Sequence, residues 1–182
     1  MSPKWPEWLP LREDLRSLSP YGAPQVDSLA RLNTNENPYP PSPALVEAIT
    51  KRVEEVSKSL NRYPDRDALQ LRAGLAQFLN ERSHLSLNAE HIWVANGSNE
   101  VIQSLLLAFG RGKALGFTPS YSMHPLIAKV TGTPWVSGMR RDDFSVDIAL
   151  ACEQIARERP ALTFLTTPNI PTGTSVPLPG IM

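Results

Sequence analysis

The spacing of hydrophobic residues changes once along this 182-residue chain, at about position 90. Before that point, apolar residues recur every three to four positions, as they do in helices that bury one face. We predict one such helix from Pro43 onward, with Ser42 as its N-cap, and a second over residues 67–82. After position 90, apolar runs of strand length alternate with helical stretches, which indicates a different architecture for the second half.

The alternating part, from residue 91, predicts a parallel sheet. Successive parallel strands require crossover connections, and helices supply them, so an α/β fold with helices on both faces of the sheet is expected. The expected strands are 92–95, 114–117, 134–137 and 162–166, and the expected helices are 99–109, 124–130 and 148–157.

The first 43 residues contain nine of the chain's eighteen prolines. Proline fixes φ and removes a backbone donor, so this region is expected to be an extended arm without a core of its own. Its amide-rich stretch around Asn35 is better suited to lining a site than to filling a core. A disordered leader is the alternative interpretation.

Charge and composition narrow the function. Eighteen Lys and Arg residues balance eighteen Asp and Glu residues, so no basic field marks the chain for nucleic acid or an anionic membrane surface. The sequence shows neither a membrane span nor a secretory signal, and a cytoplasmic protein with a small-molecule site is expected. The single cysteine, Cys152, excludes an internal disulfide or a CxxC metal site and is predicted to be buried in a helix.

Three predicted loops carry the candidate chemistry, and each follows a predicted strand. One opens a helix, where the amides of Ser98, Asn99 and Glu100 are suited to a phosphate group. The second presents the aromatic ring of Tyr121, and the third is the polar turn 168–174. Because the carboxyl ends of parallel strands share one edge, these loops are expected to converge there. Taken singly, Ser98 also fits a simple helix cap and Tyr121 an ordinary loop aromatic.

Five segments make this pattern more specific. In order and approximate spacing they resemble the histidinol-phosphate aminotransferases, fold-type I enzymes that use pyridoxal phosphate (PLP), and most closely the actinobacterial form. The segments are LNTNENP (32–38), NRYP (61–64), ANGSNE (95–100), GFTPSYSMH (116–124) and TPNIPTGT (167–174).

The resemblance covers about the N-terminal half of a family member and implies three regions. Residues 1–43 would be an arm, 44–90 a helical segment contributing to the small domain and linker, and 91–182 an incomplete PLP-binding large domain. We expect such a sheet, with strands that lack neighbours, to be marginally stable or partly molten.

The resemblance also implies how the cofactor is held. The amides of Ser98, Asn99 and Glu100 would hold the PLP phosphate, and Tyr121 would stack on the pyridine ring. The cofactor contacts are completed by Asn169 in the polar turn and by Tyr63, which would reach the phosphate of the neighbouring subunit in a homodimer.

Substrate contacts are implied in the same way. Tyr21, Asn35 and Asn99 would enclose the imidazole end of histidinol phosphate. Each role has a structural alternative: Tyr63 also fits packing under its own turn, and Asn35 fits capping of its own backbone.

Two departures from the family pattern bear on activity. Ile170 stands where the family has an asparagine that donates a hydrogen bond to the PLP phenolate oxygen, so that donor is lost. The family's Schiff-base lysine and the acidic partner of the pyridine nitrogen follow this turn. No catalytic residue is therefore expected within residues 1–182, and we expect these residues alone not to catalyse transamination.

The resemblance implies an aminotransferase of histidine biosynthesis that exchanges an amino group between histidinol phosphate and 2-oxoglutarate, giving imidazole-acetol phosphate and glutamate. Two alternatives stay open. One is a non-catalytic remnant that keeps a phosphate-binding or dimerisation function, and the other is an aminotransferase that acts on aromatic amino acids.

Overall fold

Two sets of residues pack separately in the computed structural model of the chain, which describes residues 5–19, 22, 24, 27–30, 33–177, 179 and 181. The described residues within 1–18 and 94–182 form one unit, here called the sheet unit. Those within 19–93 form the other, here called the helical unit. The predicted division into an arm (1–43), a helical segment (44–90) and an incomplete large domain (91–182) stays a prediction.

Helices α1 and α2 belong to the helical unit. Helix α1 begins at Pro43 because the Ser42 hydroxyl accepts a hydrogen bond from the Leu45 amide at 3.3 Å and proline suits the first helical position. The bounds are Pro43–Ser57 for α1 and Leu69–Ser83 for α2, close to the predicted spans.

The sheet unit contains three parallel strands and three helices. Strand β1 lies between the other two, in the order β2, β1, β3, and both pairings are parallel as predicted. In chain order the elements are α3 (Ser98–Phe109), β1 (Ala114–Thr118), α4 (Met123–Thr131), β2 (Trp135–Met139), α5 (Ile148–Glu158) and β3 (Leu162–Phe164).

Alternate residues of β1 face two different cores. Ala114 packs with α3 and α4 on one face, and Leu115 and Phe117 pack with α5 on the other. Both cores are clusters of buried apolar residues; the first also contains Ile102, Leu106, Ile127 and Ala128, and the second also contains Val146, Ala151 and Val176. The predicted α/β fold with helices on both faces is confirmed.

The predicted strand at 92–95 is wrong for the described residues. This stretch is irregular and follows a short 3-10 turn at Ala89–His91. It pairs with none of β1, β2 and β3, and a strand exists only where its backbone pairs with another. Cys152 corrects a second expectation: it lies in α5, as predicted, but it is exposed.

Within the sheet unit, the N-terminal segment contacts α4 through Arg12. Its guanidinium donates to the carbonyls of Val130 at 2.8 Å and Lys129 at 3.2 Å, in the last turn of α4, and the Lys129 carbonyl also accepts from the Gly132 N–H at 3.1 Å. Of the helices that the structure describes, none is long and apolar enough to cross a membrane.

Candidate functional site

The loops that follow the strands meet at the carboxyl edge of the sheet. The Tyr121 hydroxyl donates to Asn99 Oδ1 at 3.1 Å, which joins the loop after β1 to the first turn of α3. Asn169 Nδ2 donates to the Pro119 carbonyl at 3.0 Å, which joins the turn after β3 to the same loop. The expected convergence of loops near residues 98, 121 and 169 is therefore present in the structure.

Helix α3 begins with a backbone arranged for an anion. Gly97 occupies the N-cap with φ 78°, a left-handed value that favours glycine, and no side chain caps the helix. Ser98 is the first helical residue, so it is not the cap. The Glu100 carboxylate accepts a hydrogen bond from the backbone N–H of Asn96, which holds the carboxylate toward the loop before α3. The amides of the first turn, at the positive end of the helix, remain suited to a phosphate.

Asn169 is 1% exposed and organises the turn that follows β3. Its Nδ2 also donates to Thr172 Oγ1 at 2.7 Å, and its backbone N–H donates to the Thr174 carbonyl at 2.8 Å. Both Nδ2 hydrogens are thus used within the protein, and Oδ1 is buried without a partner among the described residues. A contact between Asn169 and a cofactor stays a prediction and would have to use Oδ1.

Ile170 is 46% exposed beside this buried amide. Its side chain has no hydrogen-bonding group, so the exposed face of the turn at this position is apolar.

His124 is a buried residue that the sequence analysis did not single out. Its ring packs edge-on against Tyr121, with centroids 5.4 Å apart, and is stacked on Phe164 at 4.9 Å. Burial lowers the pKa of His124, which favours the neutral form of its imidazole. The sequence contained a signal for this residue, because His124 follows Tyr121 at about the spacing of one helical turn, and residues at that spacing share a face.

A cavity of about 220 Å³ lies beside this aromatic group. Its wall combines aromatic rings with hydroxyl groups, which suits a small polar ring compound more than an aliphatic one. The lining includes Gly116, Ser120, Tyr121, His124, Trp135 and Ser137.

The remaining predicted site residues are not among the described residues of the sheet unit. Asn35 and Tyr63 belong to the helical unit, both are exposed, and the Tyr63 side chain is fully so. Tyr21 lies outside the described residues. Within the part of the chain that the structure describes, no group of acidic, histidine or cysteine side chains is placed to hold a metal ion.

The two lysines described in the sheet unit lie away from the carboxyl edge. Lys113 precedes β1, and its ammonium pairs with Glu158 at 2.8 Å. Lys129 lies in the last turn of α4, which runs from the carboxyl edge toward the amino edge of the sheet.

Comparison with known proteins gives consistent results. The family model for class I and II aminotransferases matches residues 27–182. A histidinol-phosphate aminotransferase of Mycobacterium sp. (strain KMS) is 57% identical over 172 residues, which are 93% of this chain and 46% of that protein. One from Mycolicibacterium smegmatis is 52% identical over 93% of this chain and 78% of its own length.

The fold comparison agrees. A solved structure from Erwinia carotovora atroseptica, provisionally a histidinol-phosphate aminotransferase, aligns with a TM-score of 0.69 and 28% identity over 89% of this chain and 45% of its own. The histidinol-phosphate aminotransferase of Clostridium acetobutylicum has a TM-score of 0.56 at 20% identity over 74% of this chain and 37% of its own. The chain spans about half the length of most of these relatives.

Proposed function

The chain belongs to the class I and II aminotransferases, and we propose on that basis that the protein is a PLP-dependent aminotransferase of histidine biosynthesis. The proposed reaction converts histidinol phosphate and 2-oxoglutarate to imidazole-acetol phosphate and glutamate. The proposed setting is the cytoplasm, and the proposed assembly is a homodimer in which Tyr63 reaches the partner's phosphate site.

The observation that carries this proposal is the junction of three loops at one edge of the sheet. The Tyr121–Asn99 hydrogen bond places an aromatic ring beside a helix N-terminus, and Asn169 attaches the third loop to the same place. A phosphate-bearing, planar cofactor needs these two features next to each other, and a single motif does not supply both.

The residues present fit PLP at its phosphate and ring ends. The uncapped first turn of α3 matches a dianionic phosphate, and Gly97 leaves the approach open, since nothing lies within 4 Å of where a Cβ would stand there. The Tyr121 ring is partly buried and is held by Asn99 at its hydroxyl and by His124 at its edge.

Within the proposed site, each residue has a defined task. The amides of Ser98, Asn99 and Glu100 would bind the phosphate, and the Tyr121 ring would shield one face of the pyridine from water. Asn99 has a second task, since its Oδ1 fixes the tilt of the Tyr121 ring. When bound, PLP acts as the electron sink for bond changes at the amino-bearing carbon of the substrate.

Cofactor binding is tested by titrating the 182-residue chain with PLP and with pyridoxal, which lacks the phosphate. We expect PLP to bind at least about 100-fold more tightly, because two or three charge-assisted hydrogen bonds are lost with pyridoxal. Inorganic phosphate should compete with PLP. Equal affinity for the two compounds would contradict the phosphate site.

The ring contact is tested by two substitutions at one position. Tyr121→Ala removes the ring and is expected to weaken PLP binding about tenfold, whereas Tyr121→Phe removes only the bond to Asn99 and is expected to weaken it about threefold. Tyr39→Ala, at an exposed tyrosine of the helical unit, is the matched control and should leave the affinity unchanged.

The reaction is tested on a chimera that continues this chain with the remaining half of the 57% identical Mycobacterium relative. Glutamate should form 2-oxoglutarate in the presence of imidazole-acetol phosphate, and histidinol phosphate should be preferred over phenylalanine. A preference for phenylalanine would favour the aromatic alternative.

A second candidate is a PLP-binding or dimerisation module without chemistry. The position of Lys113 and Lys129, both away from the carboxyl edge, favours it for the residues described here. Borohydride reduction followed by mass spectrometry separates the two candidates. A stoichiometric PLP adduct on one specific lysine supports catalysis, and reversible binding with at most scattered labelling of exposed lysines supports the module.

A further inference from the structure

Arg140 is a buried cation that pairs with no carboxylate among the residues that the structure describes. It follows β2 and is 6% exposed, and the pKa of its guanidinium is lowered by burial alone, without a contribution from a neighbouring charge. Within the described residues its side chain bonds only to main-chain carbonyls: Nη1 donates to Phe144 at 3.1 Å and Nη2 to Thr166 at 3.3 Å. Its Nε is buried without a hydrogen-bond partner among the described residues, and burying an unpaired cation costs stability, so another reason for its position is needed.

The groups that Arg140 contacts lie at or just after the carboxyl ends of the strands. Its backbone N–H donates to the carbonyl of Thr118, the last residue of β1, at 2.9 Å, and its two side-chain bonds reach the loop after β2 and the residue pair after β3. One residue therefore ties together the ends of all three strands. No other described arginine bonds to more than one of these loops.

Phe144 is the link from Arg140 to the polar turn. Its φ of 63° is unusual for a large side chain, and this conformation directs its carbonyl toward two donors, Arg140 Nη1 and Thr174 Oγ1. The Thr174 hydroxyl contacts Thr172 Oγ1 at 2.9 Å, which accepts from Asn169 Nδ2. A continuous chain of hydrogen bonds thus runs from Arg140 to Asn169.

From this geometry we propose that Arg140 is a positioning residue for the cofactor side of the site. Its planar fork holds the Thr166 and Phe144 carbonyls at a fixed separation, and Phe144 passes that constraint to the turn 169–174. Asn169 attaches this turn to the loop that carries Tyr121. This inference rests on the proposed function, since it concerns the pocket in which PLP would lie.

The test measures amide hydrogen exchange at the turn and at the opposite edge of the sheet. The turn is reported by the amides of Asn169 and Gly173, and the amino edge by those of Ala114 and Ala161, all in 2.8 Å hydrogen bonds. We expect Arg140→Met to speed exchange about tenfold at the turn and to leave the amino edge unchanged. Arg140→Lys, which keeps the charge but not the fork, should give an intermediate change at the turn.

Arg141→Met is the matched control. Arg141 is the neighbouring residue, but its side chain is 57% exposed and pairs with Asp147 rather than with the turn. It should leave exchange at both places unchanged. Equal acceleration at the turn and the amino edge in Arg140→Met would show a merely stabilising residue and overturn the proposal, as would an unchanged turn.

Coupling to the turn is tested with Thr174→Val, which removes the hydroxyl that shares the Phe144 carbonyl. The exchange effects of Arg140→Met and Thr174→Val should be clearly less than additive, and additive effects would contradict the linkage. In parallel, Arg140→Met should weaken PLP binding about tenfold. If the unaltered chain fails to bind PLP, the proposed function fails, while the exchange data still decide whether Arg140 positions the turn.

Discussion

Helices α1 and α4 have similar amphipathic patterns, yet only one of them buries its apolar side. In α4, Ile127 is 7% exposed and Ala128 is fully buried against α3 and the sheet. In α1 no residue is buried, and Ile49 and Val53 remain 51% and 61% exposed. The comparison teaches that apolar periodicity predicts where a helix forms, whereas burial and its stabilisation depend on the surface that the rest of the fold provides.

We expect the largest loss of stability from Leu115→Ala in β1. Leu115 is fully buried in the core beside α5, so its truncation removes transfer free energy and leaves a cavity. We expect the free energy of unfolding of the sheet unit to fall by about 3 kcal/mol. Urea unfolding followed by hydrogen exchange at β1 measures it, and a loss below about 1 kcal/mol would contradict the assigned core.

Gly116→Ala is expected to have the next largest effect. A Cβ at this position would lie 2.6 Å from the Trp135 indole, which is itself held by a 3.0 Å bond from Nε1 to Ser137. Overpacking of this kind costs about 2 kcal/mol. The double variant Gly116→Ala with Trp135→Leu should recover part of the loss in a thermal melt. Equal melting temperatures for the single and double variants would place the strain elsewhere.

A pH effect is expected from His124. Burial lowers its pKa in the folded state below the unfolded value, so the unfolded chain binds more protons as the pH falls. The stability that neutral His124 contributes is fully present when the pH is above the pKa of this residue in the unfolded chain. It is lost as the pH falls below that pKa. The slope is at most about 1.4 kcal/mol per pH unit.

This slope is measured as unfolding free energy between pH 7 and pH 5 for the unaltered chain and for His124→Phe. The variant keeps the ring stacked on Phe164 and lacks the titration, so it should have a shallower pH dependence. Identical slopes would show that His124 does not contribute.

The smallest effect is expected from Ile49→Ala in α1. Half of this side chain is already in water, and alanine has the higher helix propensity, so the stability of the helical unit should change by no more than about 0.5 kcal/mol. Helicity measured by circular dichroism during urea unfolding tests it. A loss near that of Leu115→Ala would show that α1 packs more tightly than its exposure indicates.

Much of the fold could be predicted because local patterns and tertiary packing agree. The helix start at Ser42 and Pro43 was confirmed because its cap is local, and the strands at β1, β2 and β3 were confirmed because short apolar runs between helices have few other uses. The strand at 92–95 was not confirmed because a strand needs a partner, which no local pattern encodes. Cys152 was wrongly assigned to the core because one face of α5 had to be chosen without knowing where the sheet lies.

The candidate site likewise has features that the sequence determined and features that only the tertiary structure decided. The sequence alone determined which residue types follow each strand, and the order of elements implied that Ser98, Tyr121 and Asn169 would share one edge. Only the tertiary structure decided that Asn169 is buried with both Nδ2 hydrogens used, and that Arg140 joins the three strand ends. The physical reason is range: periodicity, caps and turns act over a few residues, whereas burial and hydrogen bonds between loops depend on residues 20 to 50 positions apart.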